Sequence, residues 1–185
     1  MEHFKFVKQF EDDNTVARQT IPAPAQLYAE LFREDNGKAT RAVYPDDDAL
    51  LSDIAAAYRQ VIADLYAAGC RNVQLDDCTW GMFCDAGYQQ FLASTGAKLE
   101  DQAEKYLQLN NAALEGKPAD LVVTTMCAGA IITPPGPAPA AMRLLRPFCL
   151  PSACDGFYLE FDDARSGDFA PLQFVAPGKK WCWAW

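Results

Sequence analysis

The chain has 185 residues, of which half are hydrophobic and 22% are charged, a composition typical of a soluble globular protein with one domain. Its net charge of −9 argues against a nucleic-acid partner, because a nucleic-acid-binding surface is basic. No apolar run approaches the roughly 20 residues of a membrane span, and the first residues do not have the pattern of a signal peptide. We therefore expect a cytoplasmic protein without membrane contacts.

The seven cysteines do not form a CxxC framework, so reduced thiols are expected rather than disulfides. Cys78, Cys84 and Cys182 are interpreted as ordinary thiols. His3 is the single histidine, and its terminal position makes it a poor metal ligand.

The clearest predicted helix runs from about Asp46 to Ala68. Pro45 and three aspartates precede or open it, which suits the positive end of a helix dipole, and Gly69 provides the stop. Apolar residues recur on one face, as expected for a helix that packs on a core. Further helical patterns cover 86–94 and 98–115.

Four strands are predicted between these helices. They lie at about Arg18–Ala23, Arg71–Asp77, Leu121–Met126 and Gly156–Asp162. Strands that alternate with helices indicate parallel pairing with right-handed crossovers. The pattern fits either an open doubly wound sheet or part of a (β/α)₈ barrel, since a complete barrel takes about 250 residues. No GxGxxG turn follows any strand, which counts against a dinucleotide-binding sheet.

Residues 128–154 differ from the rest of the chain. They begin with an Ala/Gly/Pro-rich run, contain six of the twelve prolines and have no carboxylate before Asp155. Proline disfavours a regular crossover helix here, and a surface loop or linker is the simplest interpretation. Such a length is unusual for a loop inside a compact domain.

Several acids stand at predicted strand ends, where the active sites of barrels lie. Glu160 sits in an apolar run, where a charge needs a partner such as Arg165, solvent or a metal ion. Asp76 and Asp77 end one strand with side chains on opposite faces. One of them can therefore point into a barrel mouth while the other caps the next loop.

Cys127 ends the third predicted strand, next in order before the strand of Glu160. The two residues could converge on one zinc ion, although a buried inert thiol is the more frequent role of a cysteine. Two ligands are too few, because catalytic zinc usually takes three protein ligands and an open position. Residue types alone leave this question open.

Three segments resemble the catalytic barrel of cobalamin-independent methionine synthase, and most closely its short single-barrel relatives. They are Gln19–Pro24, Tyr66–Trp80 and Asp155–Asp162, and the likeness covers about 4–127 and 155–180. The resemblance implies an α/β fold that is a partial TIM (β/α)₈ barrel, roughly the C-terminal half.

The family binds zinc through a histidine and a cysteine in an HxC arrangement, a glutamate on the next strand and a later cysteine. By resemblance, Cys127 and Glu160 are metal ligands, and Asp76 binds the amino group of homocysteine. Thr125 stands where the histidine is expected, and the later cysteine would fall beyond Trp185.

The resemblance also implies the reaction. Zinc lowers the pKa of the homocysteine thiol, and the thiolate takes the methyl group from N5 of 5-methyltetrahydropteroyl(tri)glutamate, which gives methionine. Pro24 falls near the position where larger members place a folate-stacking tryptophan, so the folate site departs from the family pattern. With one zinc ligand substituted and one absent, we expect weak zinc binding and little activity from this chain alone.

Residues 128–154 and 181–185 are interpreted as out of frame relative to an intact ancestor. Relatives carry a run such as Val-Val-Leu-Gly-Leu after the lysines at 179–180. GC-rich codons for that run, read one base later, give the Trp-Cys-Trp-Ala-Trp found here. In the same way, codons for Ala130–Gly136 can spell the family's Asn-Tyr-His-Ser-Thr-Trp in another frame. We therefore predict one partial barrel domain over 1–185 with two atypical segments.

The sequence leaves three hypotheses about the function open. The first is zinc-dependent methyl transfer from a folate to homocysteine, and the second is alkylation of another thiol such as coenzyme M by the same chemistry. The third is a truncated product without function, or a half-barrel that pairs with another chain. Open sheet edges would favour such self-association.

Overall fold

Five strands and the helices between them make up the part of the chain that the computed structural model describes, residues 1–83, 85–127, 152–160 and 175–184. The helices are α1 (Glu2–Lys8), α2 (Pro24–Leu31), α3 (Asn36–Val43), α4 (Asp47–Ala67), α5 (Thr79–Met82), α6 (Ala86–Ser94) and α7 (Leu99–Ala113). The strands are β1 (Gln19–Pro22), β2 (Asn72–Asp76), β3 (Val122–Cys127), β4 (Gly156–Glu160) and β5 (Lys180–Ala184). A membrane-spanning helix is not found among the described residues, because no helix there combines the required length with the required apolar character.

The strands lie side by side in chain order, β1-β2-β3-β4-β5, and every neighbouring pair is parallel. The prediction of four neighbouring parallel strands is therefore confirmed, including the parallel pairing of β3 with β4. The result is a mixed α/β fold, consistent with part of a barrel; closure into a barrel is not seen in the described residues. Residues 128–151, Cys84 and the end of the predicted fourth strand after Glu160 lie outside them.

One face of the sheet carries the hydrophobic core. Val73 and Leu75 of β2, Val123 of β3 and Phe157 of β4 are each at most 4% exposed and belong to one cluster with buried residues of α4 and α7. Because side chains alternate along a strand, the residues between them lie on the opposite face. That second face includes Gln74 and Asp76, and it is polar where the first is apolar.

Helix α4 begins and ends where the sequence predicted. The Asp46 side chain accepts a hydrogen bond from the backbone N–H of Ala49 at 3.2 Å, which satisfies a donor at the helix start. Gly69 follows the helix with φ +93°, a left-handed conformation that favours glycine. Tyr58 in mid-helix donates to the carbonyl of Pro22 at 2.8 Å, which ties α4 to the end of β1. Burial raises the pKa of this tyrosine to about 12.

A charged group on α4 joins four helices. Asp47 lies 2.6 Å from both the Arg41 guanidinium of α3 and the Lys105 amine of α7, and it accepts a hydrogen bond from Tyr28 of α2 at 2.9 Å. Burial alone would raise the pKa of Asp47, but the bonds from Lys105, Arg41 and Tyr28 outweigh it and lower the pKa to about 2. The carboxylate therefore stays ionised at neutral pH and fixes the packing of these helices.

Strand β5 was not predicted, because residues 181–185 were interpreted as an atypical tail. The structure pairs Lys180–Ala184 with β4 over five residues, from Gly156 opposite Lys180 to Glu160 opposite Ala184. Alternating aromatic residues fit a pleated strand well, whatever the origin of the segment. The question of reading frame is separate from this pairing and stays a hypothesis.

The pairing of β4 with β5 makes Gly156 sensitive to substitution. A Cβ at Gly156 would lie 2.5 Å from the carbonyl oxygen of Lys180, too close without a backbone shift. We expect Gly156→Ala to lower the free energy of unfolding by about 1–3 kcal/mol. Urea unfolding followed by circular dichroism measures the change.

Gly37→Ala is the matched control for this substitution. A Cβ there would meet the Phe32 ring at 3.5 Å, an ordinary contact, and alanine favours the helix. The control should be neutral or slightly stabilising. Equal stability of Gly156→Ala and the wild type would contradict the close packing of β5 against β4.

Candidate active site

The candidate site lies at the carboxyl-terminal edge of the sheet, where β1, β2, β3 and β4 end. Pro22 pairs with Asp76, and Asp76 pairs with Met126. The backbone N–H of Ala23 donates to the Asp76 carbonyl at 2.8 Å, which extends the β1–β2 ladder beyond the last residue of β1. The strand ends are therefore held in a fixed register.

Asp76 is the predicted substrate-binding residue, and it lies on the polar face of the sheet. Its Oδ1 accepts a hydrogen bond from Nε2 of Gln74 at 2.7 Å. The Gln74 Oε1 accepts in turn from Nη1 of Arg18 at 2.9 Å. Arg18 also donates to the hydroxyl of Tyr158, and its guanidinium carbon lies 4.6 Å from the centre of that ring. Arg18, which directly precedes β1, thus joins side chains of β2 and β4 in one polar chain that ends on Asp76.

Asp77 has the second role predicted for the Asp76–Asp77 pair, which is to cap the loop after the strand. It is fully buried, and its Oδ1 accepts from the backbone N–H of Thr79 at 3.2 Å and from the Thr79 hydroxyl. Its Oδ2 accepts from Nε1 of Trp80 and Nδ2 of Asn110, both at 2.8 Å. The prediction that one acid of the pair caps the next loop is confirmed.

The Asp77 contacts extend to a second strand end. Oδ1 of Asn110 accepts from the backbone N–H of Ala25 at 2.9 Å, in the first turn of α2. Burial raises the pKa of Asp77, and the bonds from Thr79, Asn110 and Trp80 oppose that rise. Through Asn110, this carboxyl group ties the loop after β2 and the start of α2 to α7.

Cys127 and Glu160, the predicted metal ligands, occupy the last positions of adjacent parallel strands. Cys127 is opposite Leu159, so Glu160 is one residue beyond that pair. The structure describes the backbone of both residues and not their side chains, so their role as ligands stays a prediction. Among the described residues, no group of three or more His, Cys, Asp and Glu side chains could hold a metal ion.

Thr125 does not offer a free ligand at the position where a histidine was expected. It is 8% exposed, and its hydroxyl donates to the carbonyl of Leu75 at 3.2 Å. Thr125 is in register with Leu75 and Phe157, both core residues. A neutral hydroxyl that is already bonded to the backbone is a poor zinc ligand, so the donor set does not fit a complete zinc site.

A crystal structure from Listeria monocytogenes, of a protein provisionally assigned as a vitamin-B12-independent methionine synthase, matches with a TM-score of 0.72 and 31% identity. This chain is therefore similar in sequence and structure to that Listeria protein. The match covers 98% of this chain and 50% of the Listeria chain. No protein-family model matches.

Two uncharacterized Bacillus subtilis proteins are also similar. YxjH is 32% identical over 163 residues, which are 88% of this chain and 42% of YxjH. YxjG is 32% identical over 180 residues, which are 95% of this chain and 45% of YxjG. The chain therefore spans about half the length of the relatives it matches. These similarities support the family resemblance that the sequence segments carry.

Sequence reasoning missed the residues that hold the two acids. Period-2 alternation could have placed Gln74 on the face of Asp76, since they are two residues apart on one strand. Arg18, Tyr158 and Asn110 carry no comparable local signal. Arg18 is 56 residues from Gln74 and 140 from Tyr158, so only the folded sheet brings them together.

Proposed function

We propose that this chain is the homocysteine-binding part of a methyltransferase of the vitamin-B12-independent methionine synthase type. The reaction would transfer a methyl group from 5-methyltetrahydropteroyl(tri)glutamate to homocysteine. The observation that carries the proposal is the structural match to the Listeria protein over 98% of this chain. Asp76 at the carboxyl-terminal edge of the sheet supports it, because barrel enzymes place their substrate groups there.

Asp76 would bind the ammonium group of homocysteine. Its Oδ1 is engaged by Gln74, while its Oδ2 has no hydrogen-bond partner among the described residues. A carboxylate oxygen in this position can accept a charge-assisted hydrogen bond from an ammonium. Such a bond would orient the amino acid at the strand ends, which is the main contribution that a positioning contact makes to catalysis.

A cavity between α2 and the helices that follow β2 supports the proposal that the chain binds a flat co-substrate. Its volume is about 630 Å³, within the usual range of ligand sites. Five aromatic residues line it: Tyr28, Phe32, Tyr88, Phe91 and Tyr106. Aromatic side chains stack well on planar heterocycles, and we propose this cavity for the pterin ring of the folate.

The chain departs from the family in its proposed zinc ligands. Cys127 and Glu160 are the proposed ligands, and Thr125, at the position of the expected histidine, is engaged with the backbone. We therefore propose that this chain retains substrate binding and has little methyl-transfer activity of its own.

The substitution Asp76→Asn tests the proposal. It removes the negative charge and keeps the size of the side chain, so binding of L-homocysteine or L-methionine should weaken about tenfold or more. Chemical-shift titration by NMR measures the dissociation constants. N-acetyl-L-methionine, which has no ammonium group, should bind the wild type and the variant equally weakly.

Asp13→Asn is the matched control, because Asp13 is an exposed aspartate in the loop that precedes β1. It should leave all affinities unchanged. The proposal is wrong if the wild type shows no preference for L-methionine over its N-acetyl derivative, or if Asp76→Asn keeps that preference.

A further inference from the structure

Gln74 is an unusual residue on the polar face of the sheet, because its amide is nearly inaccessible to solvent and both of its ends are bonded. It is 5% exposed. Its oxygen accepts from Arg18 at 2.9 Å and its nitrogen donates to Asp76 at 2.7 Å. A buried amide with both ends satisfied has a single orientation of its oxygen and nitrogen.

The arginine decides that orientation. If the amide were rotated by half a turn, its NH₂ group would face the guanidinium, which has only donors. Its oxygen would then face the Asp76 carboxylate, which has only acceptors. Both contacts would be repulsive, so Arg18 forces the nitrogen of Gln74 toward Asp76. The guanidinium is itself held by the Tyr158 ring and hydroxyl.

We infer that Gln74 is a positioning residue: it occupies Oδ1 of Asp76 and thereby presents Oδ2 to the ammonium group of an α-amino acid. This inference rests on the proposed function of Asp76. An aspartate without such a partner samples several side-chain rotamers, and a ligand must then bear the entropic cost of fixing it. With Gln74 in place, the carboxylate is fixed before the ligand arrives.

The substitution Gln74→Met tests the inference, since methionine keeps the length of the side chain and removes the amide. L-methionine should bind this variant about tenfold more weakly than the wild type, with no change for N-acetyl-L-methionine. In the same variant, the three-bond couplings of the Asp76 side chain should show averaging over rotamers, whereas the wild type shows one. A merely structural role of Gln74 would not produce that averaging.

Gln19→Met is the matched control. Gln19 lies on the neighbouring strand β1, and within the described part of the chain its amide donates to the backbone carbonyl of Thr20 alone, at 2.8 Å. The control should bind L-methionine as the wild type does. Circular dichroism of each variant shows whether the fold is retained.

The substitution Gln74→Glu provides a second test of the inference if Gln74→Met does not fold. A glutamate can still accept from Arg18, but its carboxylate has no N–H to donate to Oδ1 of Asp76. The three-bond couplings of the Asp76 side chain should therefore show averaging over rotamers in this variant too. A single, wild-type rotamer of Asp76 in Gln74→Glu would overturn the inference.

The outcomes separate the inference from the proposed function. If Asp76→Asn loses binding while Gln74→Met binds like the wild type with a fixed Asp76 rotamer, the positioning role is wrong and the function of Asp76 stands. If Gln74→Met frees the Asp76 rotamer but no variant distinguishes L-methionine from its N-acetyl form, the positioning role stands. In that case the proposed function of Asp76 fails.

Discussion

Asp77→Ala should destabilise the chain by about 3–4 kcal/mol, because it leaves several buried donors without an acceptor. Trp80 Nε1 and Asn110 Nδ2 each donate to Asp77 Oδ2 at 2.8 Å, and Thr79 donates to Oδ1. Each donor left unsatisfied in the interior costs about 1–3 kcal/mol. Total stabilities of about 5–15 kcal/mol make this a large fraction. Urea unfolding monitored by circular dichroism measures the loss.

The loss should spread beyond the loop of Asp77. Asn110 would lose its contact and with it the orientation that lets its Oδ1 accept from Ala25 at the start of α2. Amide hydrogen exchange should therefore speed up at Ala25 as well as at Thr79. Protection that stays unchanged at Ala25 would show that Asn110 is held by other contacts.

Asp76→Asn is the matched control for the stability measurement. Asp76 is only partly buried and accepts a single described side-chain bond, from Gln74, which an asparagine oxygen can also accept. We expect a change below about 1 kcal/mol for this variant. Similar losses of stability in Asp76→Asn and Asp77→Ala would contradict the conclusion that Asp77 is the structural residue of the two.

The pH dependence of stability provides a second test of the role of Asp77. Its pKa is raised in the folded chain, with burial as the main cause, from an ordinary value of 3.8. A raised carboxyl pKa means that the folded state binds the proton more readily than the unfolded state. The contribution of this group to stability is present at low pH and is lost as the pH rises through the folded pKa. The advantage of the wild type over Asp77→Asn should therefore grow as the pH is lowered.

The sequence predicted the elements whose signals are local. Three aspartates and Gly69 marked the ends of α4, and the structure places that helix within a residue of the prediction at each end. The apolar strands β2, β3 and β4 were found because parallel strands buried under helices are continuous hydrophobic runs. Helices α1, α2 and α3 were missed, since each has only seven or eight residues and a short helix has little periodicity to detect.

The candidate site was predictable only in part. Asp76 and Asp77 stood out because acids rarely follow a buried strand without a reason, and alternation correctly predicted different surroundings for them. The amide and guanidinium that fix Asp76 come from Gln74 and a residue 56 positions earlier. The packing of β5 could not be foreseen either, because its tryptophan-rich composition favours an atypical tail over a strand of the sheet.

The second large effect expected is on metal binding: the purified chain should hold zinc weakly and show little or no methyl transfer. A complete structural zinc site contributes roughly 10–16 kcal/mol, and the replacement of the expected histidine ligand by Thr125 should remove a large part of that affinity. Cys127 and Glu160 are the proposed ligands in this chain. Elemental analysis after dialysis should find well below one zinc ion per chain.

The activity measurement accompanies the metal measurement. Methyl transfer from 5-methyltetrahydropteroyltriglutamate to L-homocysteine should be near the uncatalysed background, with and without added zinc. The Listeria protein that matches this chain is a suitable comparator in the same assay. Tightly held stoichiometric zinc with steady turnover would show that the ligands have been misplaced.

Thr125→His is a sharp test of why zinc binding should be weak. If the missing imidazole were the sole defect, this variant would gain zinc affinity by orders of magnitude. Thr125 is 8% exposed, donates to the Leu75 carbonyl and is in register with the core residue Phe157. An imidazole there would have to displace core packing, which typically costs about 1–3 kcal/mol. We therefore expect Thr125→His to lower the stability of the chain and to raise its zinc affinity only slightly. The position of the expected histidine is occupied here by a residue packed in the core, so this one substitution does not restore the zinc ligand.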